Sequence, residues 1–220
     1  MKPGRTAKAK TSADQADDRL VYDRPVTLRQ YDLTQHIWQD AQHLHANINK
    51  AISTGGQAPA DSAHTVRLVF RFRYFAALGG IRDSLQHYRI VFDEKTYEIS
   101  DYDDYNERHS IIKLTASSVR TGTVSLISET IAADEIGQQV ATETTADYPC
   151  SEYEIAESER VDLHQIGLRP VIRLRIFRDE YSGQRRATYL NHRYRIGTVR
   201  YVGDCVDLYL EEKVGDLSGS

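Results

Sequence analysis

The chain says nearly the same thing twice, and this repetition constrains its fold more than any other property of the sequence. Arg89-Ile90-Val91-Phe92-Asp93-Glu94-Lys95-Thr96-Tyr97-Glu98-Ile99 returns as Arg186-Ala187-Thr188-Tyr189-Leu190-Asn191-His192-Arg193-Tyr194-Arg195-Ile196, at an offset of 186 − 89 = 97 residues. Upstream, Val26-Thr27-Leu28 aligns with Val124-Ser125-Leu126 and Arg71-Phe72-Arg73-Tyr74 with Arg173-Leu174-Arg175-Ile176. Downstream, Ile112-Lys113-Leu114 aligns with Leu208-Tyr209-Leu210. The offset changes between these segments and never within one. That is the mark of a duplicated domain, because loops tolerate insertion and strand registers do not.

A chain of 220 residues then divides into two domains of about 95 residues each. Domains this small bury a limited share of their surface, so stability is expected to be borrowed from a partner or an oligomer. The expected division is an arm over residues 1–19, a first domain over 20–117, a second over 123–214 and a tail over 215–220, with the short polar run 116–122 as linker. In the arm, Lys2, Arg5, Lys8 and Lys10 precede Asp14, Asp17 and Asp18, and nothing there can form a core. It is expected to be disordered alone and ordered only by a partner.

Periodicity gives the elements. Val66, Leu68, Phe70, Phe72 and Tyr74 alternate with Arg67, Val69, Arg71 and Arg73, which predicts a half-buried strand. Asp93-Glu94-Lys95 predicts a hairpin turn, as does Asp134-Glu135-Ile136-Gly137 in the second repeat. Residues 158–166, followed by Gly167 and Pro170, predict a short helix with a glycine cap. The expected fold is mainly β: two tandem small antiparallel β-barrel or sandwich domains, each with one short helix. The inward face should hold Phe70, Phe72, Phe92 and Tyr97 in the first, and Leu174, Ile176, Tyr189 and Tyr194 in the second.

Charge and composition narrow the function. A net charge of −4 gives no global attraction to phosphate, which disfavours a dedicated nucleic-acid binder. No run reaches the apolar length of a bilayer span and the N-terminus lacks the apolar core of a secretory signal, so a soluble chain is expected. Cys150 and Cys205 read as small buried residues of a reducing compartment, with a disulfide between them as the alternative. No nucleophile elbow, HExxH helix or phosphate-cradling loop is present, so no enzyme activity and no cofactor is expected. His43 and His45 share a strand face without a third ligand at motif spacing, so no metal site is assigned. Asp101, Asp103, Asp104 and Glu107 lack the glycine and terminal Glu of a calcium loop and read as a turn.

Both repeats resemble the head-closure proteins of long-tailed bacteriophages, also called head completion or head-tail joining proteins. The resemblance is carried by residues 88–99, Asp103-Asp104-Tyr105 and Arg108-His109 in the first repeat. In the second it is carried by Thr130-Ile131, residues 134–139, Gly167-Leu168-Arg169-Pro170, Tyr194-Arg195-Ile196 and Glu211-Glu212-Lys213-Val214. It implies a small β-barrel with one helix, assembled as a dodecameric homo-oligomeric ring beneath the portal or a portal adaptor. Such a ring closes the DNA-filled head and docks the tail through a tail terminator or tail completion protein, with DNA only as cargo in its channel. The implied location is the virion neck, the head-tail connector, after assembly in the host cytoplasm. A channel loop maps to Ser53, Thr54, Gly55, Gly56, Gln57, Asp61 and His64, with residues 151–167 as its counterpart.

Subunit-interface candidates are Arg67, Arg71, Arg73, Arg173 and Arg175, on the polar face of the best-patterned strands, together with Asp103 and Asp104. Two readings of the arginine row stand: a solvated face, or a row meeting acidic residues of a neighbouring subunit. The alternative function is a single-stranded nucleic-acid-binding barrel of the OB type, which requires aromatic platforms beside cations. Tyr97, Tyr105 and Tyr194 are the candidates, although at period two the first and last point to the core.

Overall fold

Alternating apolar residues and two-residue turns become strands and hairpins in the computed structural model, which describes residues 20–51, 65–74, 76–104, 109–133 and 139–212. Eleven antiparallel strands dominate: β1 (Arg24–Asp32), β2 (Ile37–Lys50), β3 (Arg67–Arg73), β4 (Tyr88–Phe92), β5 (Lys95–Asp104), β6 (Ile111–Ala133), β7 (Gln139–Tyr153), β8 (Ile172–Phe177), β9 (Arg186–Tyr189), β10 (His192–Val202) and β11 (Cys205–Glu212). A helical turn, α1 (Ala76–Gly79), follows β3, and a helix, α2 (Glu157–Gln165), joins β7 to β8. The chain is mainly β, as its periodicity predicts.

All eleven strands belong to one sheet in the order β3-β2-β1-β4-β5-β6-β7-β8-β11-β10-β9, and the pairings β3–β6 and β6–β9 bring it back on itself twice. The pairings therefore trace two closed rings of six strands, β1 to β6 and β6 to β11, which share β6. Closure satisfies backbone groups that an open sheet leaves at its edges. Val119 of β6 still faces Thr96 of β5 in ring one, and Arg120, the next residue, faces Glu152 of β7 in ring two. The run 116–122, expected as a linker, is thus continuous strand. The many short strands expected from the sequence include one of 23 residues and another of 15.

The rings repeat each other rung by rung. Phe72 faces Ile112 where Leu174 faces Leu208, Leu28 faces Ile90 where Leu126 faces Ala187, and Ile90 faces Tyr97 where Ala187 faces Tyr194. Both rings carry a bulge at the same place, Ser100 between Ile99 and Asp101, and Gly197 between Ile196 and Thr198. Both β4–β5 and β9–β10 turn through two residues of positive φ, Asp93 (49°) with Glu94 (59°) and Leu190 (48°) with Asn191 (64°). This left-handed pair is the turn whose twist matches that of the flanking strands.

Each ring has its own core. Phe70, Phe72, Ile90, Tyr97, Ile112 and Leu114 anchor the first, with Phe92 packed against it. Leu174, Ile176, Tyr189, Leu208 and Leu210 anchor the second, with Tyr194 packed against it. The helix α2 begins and ends one residue earlier than expected. Gly167, at φ +81°, donates its N–H to the His164 carbonyl at 3.0 Å, and Leu168 donates to the Leu163 carbonyl at 2.9 Å. The two helices are not equivalent, since α1 follows β3 whereas α2 precedes β8. Asp101, Asp103 and Asp104 lie on β5 rather than in a turn, because β5 continues its pairing with β6 as far as Asp104 opposite Ile112. The arm 1–19, the loop candidates from Ser53 to His64, Tyr105 and the turn 134–138 lie outside the described residues.

Candidate functional site

Polar side chains that no alternating pattern would bury meet where the tip of the β1–β2 hairpin and the β4–β5 face of ring one press on ring two. Arg89 of β4 and Glu98 of β5 sit on outward positions, opposite one another across the ladder. Arg89 Nη2 donates to Glu98 Oε1 at 2.8 Å and also to Ser151 of β7, and its guanidinium lies 4.0 Å over the Trp38 ring. Glu98 is the hub, because Ser151 Oγ donates to it at 2.5 Å and the Tyr153 hydroxyl donates to its second oxygen. Three side chains, one from ring one and two from β7, converge on one carboxylate.

A second hub lies beside it. Glu180, only 1 % exposed, accepts from the Tyr31 hydroxyl and, at 2.9 Å, from the Phe177 backbone N–H. His36 Nδ1 stands 3.4 Å from the same carboxylate. Tyr31 stacks on Phe177 with ring centroids 4.0 Å apart, and Tyr31, Phe177 and Cys205 form a small buried core of their own with Trp38 against it. Asp32 shapes the hairpin tip by accepting from the Thr34 and Gln35 N–H groups at 2.8 and 3.0 Å. A cleft of about 350 Å³ opens along this seam, lined by Arg82, Gln86, Arg89, Glu98, Arg175 and Cys205 among others.

Burial sets the electrostatics of the seam. It depresses the pKa of Arg89, and Glu98 opposes that effect through its charge and its hydrogen bond. It raises the Glu180 carboxyl above its ordinary range, against the bonds from Tyr31 and Phe177 that favour the anion. Burial, reinforced by Glu180, also raises Tyr31. The Cys150 and Cys205 thiols are both free, buried and pushed up to about 12 by desolvation. Such thiols stay protonated at neutral pH and are poor nucleophiles. The arrangement is suited to holding two bodies in one fixed relation.

The interface candidates from the sequence fall into two groups. Arg173 and Arg175, on β8, are engaged within the chain: Arg175 Nε donates to Asp207 Oδ1 at 2.6 Å, and Arg173 Nη1 to Glu159 of α2 at 2.8 Å. Burial pulls the Arg175 pKa down, but Asp207 outweighs it and the net shift is upward. Arg67 and Arg73, at the ends of β3, are exposed, and Arg73 lies 5.4 Å over the Tyr22 ring. Arg71 reaches Asn47 at 3.5 Å. Asp103 is 3.7 Å from Lys113, and Asp104 pairs with the His109 ring at 2.5 Å. Tyr97 is buried and Tyr194 packs on the second core, so neither presents a ring to solvent as a base platform. Sequence reasoning missed Trp38, Arg89, Glu98 and Glu180. The one available signal was the single tryptophan, next to the polar pair Gln39-Asp40 at the start of β2, since a large ring there needs cover.

The seam is not repeated on the far side of ring two. The internal alignment carries Arg89 to Arg186 and Glu98 to Arg195, which reverses the charge of the hub. Arg186 there pairs with Glu129 at 2.6 Å and Glu143 at 2.7 Å on an open surface.

The family model of the phage head completion protein matches residues 11–119. Its last residue is Val119, where β6 leaves ring one. Comparison with curated proteins and with solved structures gives no match. Over residues 11–119 the chain is similar to the phage head completion protein family, and this similarity supports a structural role in the phage head or neck.

Proposed function

We propose that this chain is a structural protein of a tailed-phage neck, with two head-completion domains over 20–117 and 123–214. Copies form a ring under the portal or its adaptor, close the DNA-filled head and present the docking surface for the tail, whose terminator or completion protein is the partner below. The observation that carries this reading is the strand-for-strand equivalence of ring two to ring one, the ring that the family match covers. The protein acts through binding surfaces and catalyses no reaction, and DNA passes it as cargo. Charge supports this, because a chain of net charge −4 offers a conduit wall that does not hold a sliding polyanion.

The domains stack along the axis rather than alternate around one ring. The hub carboxylate Glu98 has Arg195 as its counterpart, so a copy cannot extend the seam to its neighbour with the same chemistry. Imaging intact virions tests both parts. We expect this chain in the neck, with as many copies as the portal has subunits. Its absence from the neck would overturn the function, and half the portal's number would overturn the stacking alone.

A further inference from the structure

The β6–β7 ribbon outruns its ring. On the β6 side β9 pairs only with residues 124–127, and on the other side β8 pairs only with residues 151–153. Residues 141–147 of β7 are all exposed and bond to β6 along one edge. Among the described residues, no strand pairs with their outer edge. An exposed, threonine-rich edge of seven residues is a template for another strand. It carries Glu143 and Asp147 on one face, the former already paired with Arg186 and Arg193. The chain itself supplies a fitting strand. In the N-terminal arm, Thr6-Ala7-Lys8-Ala9-Lys10-Thr11-Ser12 alternates with both lysines on one side.

Reach decides whose arm it is. Val21 is fixed at ring one, where Asn47 Nδ2 donates to its carbonyl at 3.0 Å. From there β1 (Arg24–Asp32) runs away to the seam, about 30 Å at 3.3 Å per residue, and the near end of the β7 edge meets the hairpin tip there, with the Tyr148 ring 5.4 Å from His36. Residues 6–12 precede Val21 by nine to fifteen positions, a span of roughly 30–50 Å only when fully extended. The arm would reach its own edge only when taut, which favours the edge of a neighbouring copy.

We propose that the outer edge of β7 at residues 141–147 is the docking edge for the N-terminal arm of a second copy, which adds there as a strand with Lys8 and Lys10 beside Glu143 and Asp147. This deepens the ring assembly proposed above and rests on it for the presence of a neighbour. Hydrogen exchange on the full chain, paired with sedimentation velocity, tests it. The amides of residues 141–147 should exchange at least about tenfold more slowly in the wild type than in Lys8→Glu/Lys10→Glu, and the oligomeric fraction should fall with them. Asp147→Lys should lose the same protection, and combining it with the arm reversal should restore part of it. Thermal melts check that each variant folds. Equal exchange in wild type and arm variant overturns the docking, and if oligomers persist in that case the ring assembly stands without it. Protection in a monomer shows the arm on its own edge and overturns the exchange between copies.

Discussion

Arg89 is the side chain whose loss the seam can least accommodate. Its side chain is 9 % exposed, and its guanidinium is shared between Glu98, Ser151 and the Trp38 face. Removing one partner of a buried pair leaves the other charge uncompensated, at about 3–5 kcal/mol. Arg89→Ala should lower unfolding stability by that amount in urea, whereas a change below about 1 kcal/mol would mean that the pair behaves as a surface contact. Glu180 gives a second test with a defined sign. Its folded pKa lies above the ordinary value of 4.5, so the folded state holds the proton more tightly. The resulting stability is fully present below 4.5 and is lost as pH rises through the folded value. Glu180→Gln keeps an acceptor for Phe177 and Tyr31 but does not titrate. Thermal melts from pH 4 to 8 should show the variant gaining on the wild type as pH rises, and a constant difference would contradict this assignment.

Phe72 and Leu174 occupy equivalent rungs, each buried and each facing an aliphatic residue of the strand shared with or closing its ring. Truncating either to Ala should cost about 2–5 kcal/mol, read as a fall in the denaturation midpoint; a midpoint unmoved by both would break the equivalence. These strands were legible in the sequence because one face meets a core and alternation records it. The turn at Asp93-Glu94 was legible too, from a polar run between Phe92 and Tyr97, and Leu190-Asn191 aligns with it in the second repeat. The centre of β6 was not. Residues 116–122 are small and polar because they pass from one core to the next, where no continuous apolar face is required, and the same composition reads as a linker. The seam escaped for a related reason: Arg89 and Glu98 stand on outward positions, and only the docking of ring two makes those positions interior.

At the scale of the molecule, one strand and one seam couple the two cores. The interface holds the sole tryptophan, Trp38, under Arg89, so its fluorescence reports on the seam while far-ultraviolet circular dichroism reports on both rings. We expect one cooperative transition in which the two signals coincide, with Phe72→Ala and Leu174→Ala each shifting both signals together. Separate transitions would show that the rings melt independently.

The shared strand also bears on how such a part carries load. Its 23 residues extend to roughly 75 Å at about 3.3 Å per residue, with ring one on its first part, through Val119, and ring two taking over from Arg120. In the stacked arrangement proposed above, a force drawing head and tail apart would pull along β6, straining the hydrogen bonds of its ladders side by side in shear instead of peeling them one at a time. A flexible tether would stretch before it transmitted tension. Here the backbone that joins the two halves is also the structural member of each, so tension at one end reaches the other without slack.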